Sequence, residues 1–421
     1  MSSSTLRGNI YAVLAEETIK DEADHIEGSE NLATDSKEED PDLAIMHTLF
    51  DLVALEEDSA RKPVFTKELL EEIAANIKII LSDQIKPSVE RSIRSLQYAQ
   101  SNEQSVTIWK AGDNAKVNHN AIITNYLTRV ELHPEFREKF RTSWKRSKEL
   151  QALNADLTEL QRSQIEAPYY LESYERASDT THLNSEAMDK FHRRLRRMQK
   201  LWNTSASCAE LCDVIKMRAR KINTPITKIV CIGLGALKLD PVWYPSTLQH
   251  ITVFSIAETL NAVNREKHAN CAPVKIIAQD PCYITYDRIL IQSLTTRSID
   301  FSISNPETLL AIDANTLVVS AFLPSGVPLM QIVADLFTGK PEEGPAMMLC
   351  DRMPGMSAQK RKYCLRNRDS PAVVRFLVGY DKWLHDFGEL DQKLQDDVAD
   401  GTEHKVKYWL GEMNLWWRKD N

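Results

Sequence analysis

The chain has 421 residues, 43% hydrophobic and 27% charged, with a formal net charge of −8. That length corresponds to two or three ordinary domains, and 13 glycines and 17 prolines are too few for a collagen-like or Pro/Gly-rich chain. The acidic balance argues against a protein whose main task is gripping nucleic acid.

The charge is uneven. Residues 1–60 hold 16 acids and 3 bases, a net of −13 that leaves +5 on the other 361 residues. Residues 15–42 are nearly free of large apolar side chains and cannot bury enough surface to offset the entropy of ordering. Residues 1–60 therefore read as an acidic, largely disordered segment. The start lacks the basic-then-apolar design of a secretory signal. The charge-free run 314–334 contains Asn315, Ser320, Pro324, Ser325, Gly326 and Pro328, which suits a buried strand, loop and helix better than a membrane span. Seven cysteines with no CxxC pair read as reduced thiols, and Cys208 and Cys212 lack the partners of a zinc site, so no metal is expected. The expectation is an intracellular protein, cytoplasmic or nuclear, with no membrane contact.

Residues 61–204 read as a helical region. Leu69, Leu70, Ile73, Ile77, Ile80 and Leu81 recur at helix spacing, and Phe136, Phe140, Trp144, Leu150, Leu153, Leu157 and Leu160 draw a second stripe. A long helix is expected over about 182–220, with Leu183, Ala187, Phe191, Leu195, Met198 and Trp202 on one face. Arg193, Arg194, Arg196, Arg197 and Lys200 lie on the other. They make a solvated face, a phosphate- or nucleic-acid-binding face, or a surface for the acidic segment of the same chain.

The pattern changes at 205–352. Apolar runs at Lys228–Gly233, Val274–Gln279, Ser298–Ser302, Thr316–Ser320 and Ala346–Cys350 alternate with helix-like segments at 246–267, 284–294, 306–311 and 327–337. Continuously apolar strands alternating with helices predict an α/β fold. The sheet is expected to be Rossmann-like and doubly wound, mainly parallel, with about five strands. Residues 353–421 read as a Trp-rich helical tail, with helices near 371–386 and 403–417.

Chemistry is sparse. The turn Gly233-Leu234-Gly235 ends the first strand, where glycine lets backbone approach a phosphate or sugar. A third glycine is missing, since position 238 is Lys. Asp280 closes the second strand and is placed either to accept ribose hydroxyls or to face the following helix N-terminus. Ser320 ends the fourth strand and Pro324 follows it, and both would face the same crevice. These five residues form the candidate cofactor-binding set, for a nucleotide-like ligand of unspecified identity. His250 reads as a packing residue. No GxSxG elbow, P-loop or HExxH occurs, and catalytic residues are unassigned.

The run Lys228–Leu237, then Gln249-His250, Ala278–Tyr283 with Asp287, Asn305-Pro306-Glu307, Asp313, Thr316–Ser320, Pro324, Val327-Pro328, Gln331-Ile332, Asp335-Leu336, Pro345-Ala346 and Cys350-Asp351 resemble the sensitivity-to-red-light-reduced family. The form is closest to that of fungal proteins and covers about 205–352. The resemblance implies a Rossmann-like domain with a regulatory role, in a family linked to light and circadian signalling and without an agreed activity or cofactor. The resulting expectation is a regulatory protein, more a binder than an enzyme, that engages a protein partner or a small nucleotide-like ligand rather than nucleic acid. Two alternatives remain. One is an S-adenosylmethionine-dependent methyltransferase-like enzyme, which requires a seventh, antiparallel edge strand and a polar fourth-strand site. The other is a scaffold or dimerisation protein working through its helices.

Overall fold

The computed structural model describes residues 63–84, 97–99, 105–107, 120–132, 168–175, 185–237, 244–268, 270–302, 304–324, 326–352, 370–383 and 409–419. The acidic segment and the stripe from Phe136 to Leu160 lie outside them.

Helix α1 (Lys67–Gln84) is followed by a short strand pair, β1 (Gln97–Ala99) and β2 (Ser105–Thr107). Strand β3 (Asn120–Tyr126), helix α2 (Arg129–Leu132) and strand β4 (Tyr169–Glu175) come next, with β3 and β4 paired antiparallel over seven residues. Within the region expected to be helical the described residues thus hold strands as well as helices. Asn120–Tyr126 and Tyr169–Glu175 are rich in β-branched and aromatic side chains, which favour a pleated surface.

The expected long helix is two helices, α3 (Ser185–Asn203) and α4 (Ala206–Lys221). Ser205 breaks it. Its extended backbone (φ −80°, ψ 152°) and side-chain oxygen, which accepts from the Cys208 N–H at 3.1 Å, start a new helix.

Then follow β5 (Lys228–Ile232), α5 (Tyr244–Lys267), β6 (Lys275–Gln279), α6 (Thr285–Ser293), β7 (Ile299–Ser302), α7 (Asn305–Leu310), β8 (Thr316–Ser320), α8 (Leu329–Leu336) and β9 (Met347–Asp351). The expected strands and helices in this stretch are present to within about two residues. Helix α9 (Pro371–Leu377), strand β10 (Tyr380–Trp383), a 3-10 turn at Trp409–Glu412 and strand β11 (Met413–Arg418) complete the described chain.

The central sheet has seven strands in the order β10-β11-β9-β8-β5-β6-β7. Strands β5 to β9 are mutually parallel. β11 runs antiparallel to both β9 and β10, so β10 points the same way as the parallel five. Five expected strands become seven, and the expected helical tail is corrected to two strands joined to a short helix. The reason lies in Met413–Trp417. Met413, Leu415 and Trp417 face one core while Trp416 faces the other, a period of two that a buried strand requires.

The same alternation divides every central strand. Ile229 and Cys231 join a core formed with α3, α4, α5 and α6, whereas Val230 and Ile232 join one formed with α1, α7, α8 and α9. Both sheet faces are thus covered by helices. The carboxyl ends of β5, β6 and β8 emerge side by side, because Ile232 stands in register with Gln279 on one side and Ser320 on the other. No helix among the described residues is long and apolar enough to cross a membrane.

Candidate functional site

All five expected residues gather where β5, β6 and β8 end. Gly233 and Gly235 both adopt left-handed backbone, φ 72° and 77°. Their missing side chains are matched by the chain's own atoms. A Cβ on Gly233 would fall 2.3 Å from Leu323 Cδ2, and one on Gly235 would fall 2.4 Å from Ser246 Oγ. Glycine is required at both positions by conformation and by close approach together.

Asp280 is 5% exposed and its carboxylate serves this turn. Oδ2 accepts from the Gly235 N–H at 2.8 Å, and Oδ1 accepts from the Cys282 N–H at 2.8 Å. Burial holds its pKa above the usual range, against the pull of those two donors. Asp287, on α6, repeats the device. Its Oδ1 accepts from Leu237 N–H at 2.8 Å and its Oδ2 from Ile284 N–H at 2.9 Å. Two buried carboxylates therefore clamp residues 235–237 from below. Ser320 is buried beside Ile232, and Pro324 is half-buried, its carbonyl accepting from Val327 N–H at 2.9 Å.

The loop after β8 carries a feature with no sequence signal. Phe322 has φ 53° and stays 38% exposed. Its N–H donates to Asp351 Oδ1 at 2.7 Å, which ties this loop to the end of β9. An aromatic residue in that region costs about 1–2 kcal/mol, and the strain turns Leu323 inward onto Gly233. Strand β3 covers the same end of the sheet. Tyr126 N–H donates to Gly326 O at 2.7 Å, and Tyr126 OH donates to Asn305 Oδ1 at 3.0 Å.

Behind the turn lies a chain of three groups. His250 Nδ1 is 2.6 Å from Ser246 O, which can only accept, so Nδ1 carries the proton. Nε2, 2.8 Å from Tyr283 OH, then accepts from the phenol. Burial lowers His250 to a pKa of about 4 and raises Tyr283 well above the phenol range, so both stay neutral. The expected packing role of His250 is therefore more specific. It orients Ser246, whose hydroxyl abuts Gly235.

The native state excludes the imidazolium, so stability is full above pH 6.5 and is lost as pH falls from 6.5 towards 4. We expect a loss of roughly 3 kcal/mol across that window. His250→Gln should flatten this dependence in urea unfolding followed from pH 7 to pH 4, and an unchanged slope would refute the assignment.

Residues 190–394 match the family model described as the SRR1 domain. This stretch is an SRR1 domain. No curated protein and no solved structure matches the chain. The match begins inside α3, takes in α4 and ends before β11. The glycine turn, both clamping carboxylates and the His250–Tyr283 pair all lie within the SRR1 domain. Among the described residues, no group of three or more His, Cys, Asp and Glu side chains stands ready to hold a metal.

Proposed function

We propose that this is a regulatory protein whose SRR1 domain is a Rossmann-like, doubly wound scaffold, engaging a protein partner in preference to turning over a substrate. The carrying observation is the internal use of the glycine turn. Both oxygens of Asp280 accept from the chain's own N–H groups, and Leu323 and Ser246 occupy the space beside Gly233 and Gly235. In a nucleotide-binding sheet those same groups stay open to pyrophosphate and ribose. A nucleotide-like ligand at Gly233, Gly235, Asp280, Ser320 and Pro324 would have to displace Leu323 first.

A second reading has one specific observation in its favour. The seventh strand, β11, is antiparallel, as a methyltransferase-like sheet requires, although it lies inside the sheet next to an outer β10. Against it, the fourth-strand exit is apolar, Ala321, Phe322 and Leu323 following Ser320.

Thermal-shift titration of the full chain with S-adenosylmethionine, NAD(P) and nucleotides separates the two. We expect no shift. Ligand at 100 times its dissociation constant contributes about 2.7 kcal/mol, so a rise of roughly 5 °C or more with S-adenosylmethionine would replace the first reading by the second.

A further inference from the structure

We propose that the cationic outer face of α3 is the docking surface for the chain's own acidic segment, residues 15–42.

Lys190, Arg193, Arg196, Arg197 and Lys200 are exposed on α3, and Arg194 is half-buried beside them. The four residues 190, 193, 197 and 200 step by three, four and three, which stacks them in one line about 15 Å long. Several surface cations elsewhere in the domain are paired, although Lys221 and Arg265 are exposed without an ion pair among the described residues. Arg220 meets Glu266, Lys228 meets Asp313, Lys275 meets Asp300 and Arg297 meets Glu258. None of the six α3 cations has an acid within 4.0 Å among the described residues, not even Glu186 or Asp189 of the same helix. Helix α3 as a whole carries six bases and two acids.

The stripe is held rigidly. Phe191, Leu195, Met198 and Trp202 bury the opposite face. Trp202 Nε1 donates to Ser255 Oγ at 2.9 Å, and Gln199 Nε2 donates to Leu294 O at 2.9 Å. The backbone beneath the stripe is already ordered, so docking has only the Lys and Arg side chains left to fix.

The occupant follows from charge and tether. Residues 15–42 hold 12 acids and 2 bases. They precede Pro63 by about 20 residues, which can span up to about 70 Å. That exceeds the path around a helix-sheet-helix layer some 30 Å thick. Tethering sets the effective concentration near the millimolar range. A free polyphosphate meets instead a whole chain of net charge −8, which repels it at range.

Zero-length carbodiimide coupling on the full chain, read by peptide mass spectrometry, tests the contact directly. Lys190 or Lys200 should link to acids of 15–42. The yield should fall about tenfold at 1 M salt, where the Debye length is about 3 Å. Absence of these links at low salt overturns the proposal, as does a yield that salt leaves unchanged.

A second measurement separates docking from bulk charge. Asp35→Asn, Glu38→Gln, Glu39→Gln and Asp40→Asn together should raise the salt needed to elute the full chain from heparin. Adding Arg193→Gln, Arg196→Gln and Arg197→Gln should abolish that rise, with the helical circular dichroism unchanged. An equal rise in both backgrounds means the segment acts through net charge alone and refutes docking. So does tight binding of single-stranded RNA to the unaltered chain at 0.15 M salt, where the Debye length is about 8 Å.

Discussion

Truncation after residue 408 should abolish cooperative folding of the SRR1 domain, even though the family match ends earlier, at 394. The removed stretch contains β11, which sits between β9 and β10. Trp409, Leu410, Met413, Leu415, Trp416 and Trp417 are all at most 7% exposed. At about 1.5–3 kcal/mol each, their burial is worth up to roughly 9–18 kcal/mol. Domains of this size are stable by only about 5–15 kcal/mol. Strand β10 would also lose its one neighbour in the sheet among the described residues. The truncated chain should show no sigmoidal urea transition by circular dichroism. A single change, Trp417→Ala, should cost about 3–5 kcal/mol and also remove the stacking of Arg218, whose guanidinium carbon lies 3.9 Å from the ring centroid. A truncated chain that unfolds cooperatively with the full chain's midpoint would contradict the placement of β11.

The second large effect is expected at Gly233. Valine there meets two penalties, a left-handed φ of 72° and a Cβ only 2.3 Å from Leu323 Cδ2. Left-handed strain costs about 1–2 kcal/mol and overpacking about 1–3 kcal/mol. The total loss should be about 2–5 kcal/mol in urea unfolding. The two causes separate in a cycle. In a Leu323→Ala background the overpacking disappears and the penalty of Gly233→Ala should fall to the strain alone. Strict additivity of Gly233→Ala and Leu323→Ala would show that the two residues do not touch. The cycle also bears on function, because Leu323 is the group a ligand at the turn would have to push aside.

Much of the parallel sheet was legible in the sequence because a strand covered on both faces must be apolar throughout. Thr316–Ser320 and Ala346–Cys350 left no other element that could bury them. The helices between them were legible as the helix-like segments that separate the apolar runs. What escaped has definite causes. Trp409, Trp416 and Trp417 are spaced seven and one apart, which fits a helix stripe as readily as a strand with one Trp on each face. Ser205 looked like one polar residue within a helix, and only its extended backbone reveals a cap. Gly233, Gly235, Asp280, Ser320 and Pro324 lie together at the ends of β5, β6 and β8. Their surroundings were not legible, because an aromatic residue with φ 53° at position 322 has no sequence signature. Without that kink nothing points Leu323 at Gly233. Asp287 belongs to the family pattern, but its role in the clamp, like the contact of Ser246 with Gly235, emerges only from backbone geometry.

The position of β11 also sets a timetable for making the protein. Its hydrogen-bonding partner β9 is finished at Asp351, yet β11 begins only 62 residues later, at Met413. At about 5–20 residues per second, translation leaves the outer edge of β9 unpaired for roughly 3–12 s. That edge displays Met347, Met348, Leu349 and Cys350, four side chains that the finished sheet buries. A nascent chain in this interval presents an apolar strand edge, the kind of template on which neighbouring chains pair. Slow codons or stalling between residues 352 and 412 would lengthen the exposure and lower the yield of correctly closed protein, with no change in the stability of the molecules that do finish.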